Sequence, residues 1–301
     1  MGGSNRYRII SAQEGHRSVE FWSIKRIPFE PDGWMKTARG ELREAIGKLP
    51  LQAGEILHAV YRSEERSFAD VENILFYNVG TGCFAGLTSK GLRFERSFIA
   101  PPPHSSLPKD STLHYHWYGP CLPRGTYAHW ARGETLASWS VPSVTLRPTP
   151  SASTVWLGMK DALSVTTSEV SEPLDYFGLT VRVFPSAAAR VNLAVLVKTL
   201  FDGIIAGLHS HDGSELDEVA GRLATRLNTE PAHIMRALME SKNAILGQRR
   251  LLHPFLQYVQ WNPADDLLVA GELEVTREST SESSSGFSGE LYRVRSTDFG
   301  A

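Results

Sequence analysis

At 301 residues, 42% hydrophobic and 21% charged, the chain is long enough to bury a sizeable core as two domains or one large one. A formal net charge of -2 excludes a wholly basic nucleic-acid coat and leaves a local basic patch as the only route to phosphate. Two cysteines, Cys83 and Cys121, make no disulfide framework, and MGGSNRYRII carries no apolar run after its basic residues. A reducing, cytoplasmic setting without a signal peptide is therefore expected.

Residues 18–30 read as an early strand or hairpin, and 33–49 as a helix with Trp34, Ala38, Leu42, Ile46 and Leu49 at helical spacing. GEILHAVYR (54–62) is a strand by its β-branched and aromatic content. ADVENILFYNV predicts a helix with a polar start, breaking into the glycine-rich GTGCFAGLTSKG, and 92–100 returns as a strand. A proline-rich segment at 101–112 marks the expected boundary between a first unit (1–100) and a second (113–276). In the second unit TLHYHWYG is a strand, 154–163 a short helix, FGLTVRVF (177–184) a strand and 190–208 the strongest helix of the chain. That helix is the most apolar stretch, but Asn192, Lys198 and Asp202 interrupt it, so it reads as a core helix and no membrane span is expected. A helical pair at 214–245 follows, then a closing hairpin of PFLQYVQW and LLVAGELEVT around NPADD. From 277 to 301 the Ser-rich composition predicts a flexible tail.

Internal similarity organises these elements. GCFAGLTSKG (82–91) matches GIIAGLHSHDG (203–213) at its glycines, at Ala-Gly-Leu and at a serine, and each copy follows a strand and then a helix. The expected fold class is α/β (α+β): two repeated strand–helix units with a helical hairpin inserted in the C-terminal half, a pseudo-dimer within one chain. Both copies space glycines four apart, Gly82/Gly86 and Gly203/Gly207, which suggests close backbone approach, with the two helices crossing there or each helix simply ending near its first glycine.

Chemistry-bearing residues cluster on the same units. Asp70 and Glu72 open the first repeat helix as D-V-E-N, two carboxylates suited either to a hard cation such as Mg²⁺ or to capping the helix. On the apolar second helix Lys198 and Asp202 lie one turn apart, suited to pair with each other or to face a site together with Asp212 in HSHDG.

IPFEP (27–31), KTARGELREAI (36–46), EILHAVYR and DVEN (70–73), in that order, resemble the RusA-type Holliday-junction resolvases. The resemblance implies a nuclease that cuts branched DNA with metal ions held by aspartates. It places Asp70, Glu72 and Asn73 on the family's Asp-x-Asp-Asn motif, with Asp70 and Glu72 as metal ligands. Phe76 stands where the family has lysine, and TSKG lacks the acidic pair expected beyond the helix. In NLAVLVKTLFDG (192–203) the pattern is complementary: Lys198 falls on the lysine position, Asp202 on a later acidic one, and Asp212 about where the acidic pair would begin, whereas Asn192 and Ala194 replace the carboxylates. The implied catalytic set is Asp70, Glu72, Lys198, Asp202 and Asp212, with Mg²⁺ as cofactor.

Three readings of function follow. The first is a DNA- or RNA-binding protein whose nuclease activity is weakened or lost. The second is an active Mg²⁺-dependent endonuclease with a site completed from both copies, and the third is a non-catalytic interaction subunit. Arg39 and Arg43, one turn apart on the first helix, and Arg249 and Arg250 after the helical pair are the expected phosphate contacts. The helical pair also offers a helix-turn-helix alternative through Ala232, His233 and Arg236, against a plain helical hairpin covering a sheet. His114, His116 and Cys121, with His129 beyond, alternate on a strand but match no standard zinc spacing. Asp265 and Asp266 in NPADD read as ordinary residues of a hairpin turn, with a catalytic role for the pair as the alternative.

Overall fold

A computed structural model describes residues 6–11, 16–66, 70–108, 111–142, 144, 151–162, 165–167, 174–185, 191–276 and 285–298. In chain order the elements are β1 (Tyr7–Ile10), β2 (Val19–Ser23), α1 (Gly33–Gly47), β3 (Ile56–Arg62), β4 (Gly91–Ser97), β5 (His114–Cys121), β6 (Trp130–Val141), α2 (Ala152–Asp161), β7 (Thr166–Thr167), β8 (Phe177–Phe184), α3 (Leu193–Gly207), β9 (Ser210–His211), α4 (Leu216–Leu227), α5 (Pro231–Met239), β10 (Gln248–Arg249), β11 (Leu252–Phe255), β12 (Tyr258–Trp261), β13 (Leu268–Val275) and β14 (Gly286–Ser296). It is a mixed α+β fold on one large mixed sheet, of order β1-β2-β5-β3-β4-β13-β8-β14-β6-β7.

The sheet repeats its own wiring about the seam between β4 and β13, which pair antiparallel. Outward from the seam on one side, β4 is parallel to β3, β3 antiparallel to β5, and β5 antiparallel to β2. On the other side β13 is parallel to β8, β8 antiparallel to β14, and β14 antiparallel to β6. In each half a helix, α1 or α2, follows the outer strand, and a crossover joins the parallel pair. The first crossover carries a short π-helical turn, Asn73–Tyr77, and a 3-10 turn, Thr81–Phe84; the second carries α3 and everything from β9 to β12.

Two expected boundaries move. The proline-rich segment at 101–112 does not separate the chain into independent units, because β5 beyond it lies between β2 and β3. The segment expected to be a tail holds β14, which sits inside the sheet between β8 and β6 and is half-buried or buried along most of its length. Residues 277–284 and 299–301 of that segment lie outside the described residues. A third expectation changes locally: the hairpin forms between β11 and β12, not around NPADD, whose Asp265–Leu267 makes a 3-10 turn leading into β13.

α1, α2, α3 and the turn at 73–77 pack into one apolar core with the sheet, for example through Leu42, Ile74, Val155 and Leu200 against Phe21, Leu57, Leu179 and Leu273. α3 is apolar nearly all round because it is buried nearly all round, between the sheet, α2 and the 73–84 turns. The helical pair α4–α5 covers α2 and α3 through Trp156 and Ala206 instead of a sheet. Two of its basic residues are engaged: the Arg222 guanidinium donates to the carbonyls of Leu256 and Tyr258 at 2.7 Å, and His233 lies 3.1 Å from the Asp161 carboxylate.

The paired glycines divide. A Cβ at Gly203 would lie 2.5 Å from Val155 Cβ and 2.7 Å from the Ala152 carbonyl oxygen, and one at Gly207 2.6 Å from Met159 Cβ. The close approach expected of α3 is real, but its partner is α2. A Cβ at Gly82 or Gly86 would meet nothing within 4 Å among the described residues, so the two glycine pairs do not pack on each other. Gly203→Ala is expected to destabilise by about 1–3 kcal/mol despite alanine's better helix propensity, because backbone as well as side chain must shift. Gly82→Ala should stay within about 0.5 kcal/mol of the parent, and paired denaturant melts check both.

Candidate metal centre

β3 runs out at Arg62, and the chain reaches Asp70 and Glu72 as it enters the short helical turn. The end of β3, the end of β4 and the start of β13 share one edge of the sheet, since β3 and β4 are parallel and β13 is antiparallel to β4. α3 crosses near this edge. The Tyr77 hydroxyl donates to the Val195 carbonyl at 2.5 Å, and Asn192 bonds Thr88 Oγ1 at 3.0 Å and the Thr81 carbonyl at 3.3 Å, so the first crossover is tied to the start of α3. Asn192 and Ala194 bring no carboxylate to the start of α3; the Asn192 side chain caps the helix by accepting from the Ala194 amide.

This arrangement converges four carboxylates on one ammonium. Lys198 Nζ lies 2.6 Å from Asp70 Oδ2, 2.8 Å from Asp202 Oδ1, 2.8 Å from Asp265 Oδ2 and 3.3 Å from Glu72 Oε1. The i,i+4 pairing of Lys198 with Asp202 forms as expected, and it forms inside a larger cluster. Asp70 also accepts from Asn73 Nδ2 at 2.5 Å, so its side chain is turned to the cluster and the motif asparagine. Glu72 makes no side-chain cap to the helical turn.

Charge and burial make the cluster unusual. Glu72 is fully buried, and among the described residues neither carboxylate oxygen has a hydrogen-bond partner; its ion-pair contact with Lys198 is off hydrogen-bond geometry. Desolvation, opposed by Lys198 and reinforced by the neighbouring carboxylates, pushes Glu72 up to about 8. The same causes raise Asp202 to about 7, and desolvation raises Asp265. Lys198 is held well above the ordinary lysine range because the surrounding carboxylates outweigh its own desolvation. Among the described residues one ammonium faces four carboxylates, and the excess negative charge is relieved in part by the protons that Glu72 and Asp202 retain.

Asp70, Glu72 and Asp265 bring ligand oxygens within 4.8 Å of one another and could hold a metal ion. An oxygen-only donor set suits a hard divalent cation, and the unpartnered Glu72 oxygens are where a cation would complete the bonding. Asp70, Asp202, Asp265 and Lys198 each keep some 15–18% of their side-chain surface exposed, so the cluster opens to solvent on one side.

Asp212 does not join it. α3 ends at Gly207 and the chain turns into β9, where the Asp212 carboxylate accepts from the Ser214 amide at 2.9 Å. Asp265 takes the acidic position in its place. Its only signal in sequence was the acidic pair Asp265–Asp266 immediately before β13, and the intervening α4, α5 and β11–β12 hid its relation to α3.

The other candidates lie elsewhere. Arg39 donates to the carbonyls of Phe29 at 3.1 Å and Asn78 at 3.4 Å, and Arg43 lies against Gly80, so both brace the loop after the 73–77 turn. Arg249 is in β10, and Arg250 pairs with Glu215. His114 is bonded through Nδ1 to the Tyr61 hydroxyl at 2.7 Å, and His116 is fully buried beside Tyr118; among the described residues neither joins Cys121 in a metal-ligating group. No described helix is long and apolar enough to cross a membrane.

Comparison with protein-family models, curated proteins and solved structures returns no match to this chain.

Proposed function

We propose that this chain is a divalent-cation-dependent phosphodiesterase that cuts nucleic acid, with one composite site assembled from both halves of the sheet. The carrying observation is the convergence of Asp70 and Glu72 from the first half with Lys198, Asp202 and Asp265 from the second. Each half is incomplete on the RusA-type pattern, which by itself argues for lost activity. The missing lysine and distal acid of one half are supplied by the other, which favours the active reading over the weakened one.

Asp70, Glu72 and Asp265 would hold the cation, with Mg²⁺ the expected ion; once bound it supplies Lewis-acid polarisation of a phosphoryl oxygen and a more acidic water. Lys198 keeps its proton and places positive charge at the site where a phosphodiester gains negative charge. Asp202, raised to about 7 and outside the ligand trio, is suited to take a proton and return it.

The test is incubation with branched, single-stranded and duplex DNA, and with RNA, in Mg²⁺, Mn²⁺ or chelator. Cleavage in either metal and none in chelator is expected, with Asp70→Asn reducing the rate at least about 100-fold while melting near the parent temperature. Absence of cleavage on every substrate in both metals would overturn the reading. The tight centring of Lys198 favours one rival: an ion network that only pins α3 to the first crossover. A loss of melting temperature in Asp70→Asn with no change in cleavage would select it.

A further inference from the structure

The edge of the sheet that carries the carboxylates also carries a cavity of about 640 Å³, lined by Phe98, Trp130, Tyr176, Arg66, Arg293 and Arg295 among others. The lining comes from the end of β4, the start of β6, the loop before β8 and the end of β14, which the sheet order brings together. Its floor is aromatic: Tyr176 lies 5.2 Å from Phe98 at 30° and 5.5 Å from Trp130 at 60°. Arg66 stands over the Phe98 ring at 5.7 Å. Arg295 is exposed at the rim, and Arg293 is paired with Glu134 at 3.2 Å. Of the two acids on the wall, Asp298 is engaged by His129 at 2.7 Å and Ser97 at 2.8 Å, and Asp175 is exposed.

Two links join this cavity to the metal centre. The 3-10 turn Asp265–Leu267 gives Asp265 to Lys198 and Leu267 to the cavity wall. Arg66, on the cavity wall, precedes Asp70 by four residues in the sequence. A strand whose phosphodiester lay at the carboxylates would therefore have a neighbouring nucleotide within reach of the aromatic floor. The half-buried Tyr176 ring, with guanidinium groups around it, suits an unpaired base and its phosphate; a base still stacked in a duplex cannot present its face to it.

We propose that the cavity is a subsite for an unpaired nucleotide of the nucleic-acid strand held at the metal centre. It rests on the phosphodiesterase reading for its biological use, and it makes single-stranded, frayed or branched nucleic acid the preferred substrate over intact duplex.

Binding in chelator separates this proposal from catalysis. A fluorescein-labelled single-stranded oligodeoxynucleotide of about 15 nucleotides and a blunt duplex of the same sequence are titrated with the full chain at low salt, read by anisotropy. The single strand is expected to bind at least about tenfold tighter, and Tyr176→Ala to weaken it about tenfold. Arg295→Glu, at an exposed position, is expected to weaken it and to lower the salt slope by about one to two. Equal affinity for strand and duplex, or unchanged strand affinity in both variants with melting temperatures intact, would overturn the proposal. Displacement of the strand by stoichiometric dAMP would also overturn it, making the cavity a free-nucleotide site. Cleavage that survives in Tyr176→Ala with unchanged preference sinks the subsite and leaves the phosphodiesterase; strand binding with no cleavage in any metal does the reverse.

Discussion

Lys198→Met is expected to lower the melting temperature in chelator by on the order of 10 °C and to remove cleavage. Among the described residues Lys198 is the one cation in contact with Asp70, Glu72, Asp202 and Asp265, and it is buried over most of its surface. Removing one partner of a buried ion cluster costs about 3–5 kcal/mol because the remaining charges stay desolvated without compensation, and about 1 kcal/mol moves the midpoint of a chain this size by a few degrees. Methionine keeps the length and apolar stem, so lost packing contributes little. The variant cluster is more negative than the parent, so Mn²⁺ should raise its midpoint by more than it raises the parent's. Lys198→Arg restores charge and should recover most of the stability. Cleavage by Lys198→Met should fall at least about 100-fold even with metal bound. Thermal melts with and without Mn²⁺, followed by the cleavage assay, check all three, and a melting temperature indifferent to Lys198→Met would show that the cluster carries no net electrostatic stabilisation.

The second large effect is a decline of metal-free stability as pH rises from about 6.5 to about 8.5. Glu72, raised to about 8 by burial and neighbouring carboxylates, keeps a proton in the folded state that the unfolded chain, with an ordinary glutamate, has already released. Asp202, raised to about 7, acts in the same direction. The folded state therefore binds more protons across this window, and stability falls with rising pH until both groups are ionised. The stabilisation is fully present below the ordinary carboxylate range and is lost through the raised values. Buried His116 and His209, lowered to about 3 and about 4 by desolvation, act oppositely, but only below the ordinary histidine value, which is why the window starts near 6.5. The expected loss is about 2 kcal/mol, or roughly 5 °C. Metal competes with these protons, so Mg²⁺ or Mn²⁺ should restore the midpoint at about pH 8.5 and do much less at about pH 6.5. Glu72→Gln should flatten the decline and abolish the metal response. Melts across pH, in chelator and in metal, read both; a flat profile in the parent would mean that Glu72 is ionised throughout and satisfied by groups it does not contact here.

Much of this was legible along the chain. Periodicity located α1, β3, β8 and α3 because each buries a face, or all of itself, with the spacing its geometry imposes. The residue types at the site were legible too. Carboxylates at the start of a short helix and two charges one turn apart on an apolar helix both need a partner, and Asp70, Glu72, Lys198 and Asp202 do meet one another.

Only the tertiary structure decided the rest. Asp265 has turn composition, and its role comes from the 3-10 turn that enters β13 beside α3, after an excursion through α4, α5 and β11–β12. β14 hides behind a Ser-rich run, yet it is an inner strand because β8 and β6 leave it a place between them. β5 crosses the apparent boundary for the same reason. Local sequence determines which residues turn into helices and strands and which charges want company. Strand order, and with it the meeting of Asp70 and Glu72 with Lys198, Asp202 and Asp265, is set by backbone hydrogen bonds between segments far apart in the chain, and these leave no mark on the spacing of neighbouring residues.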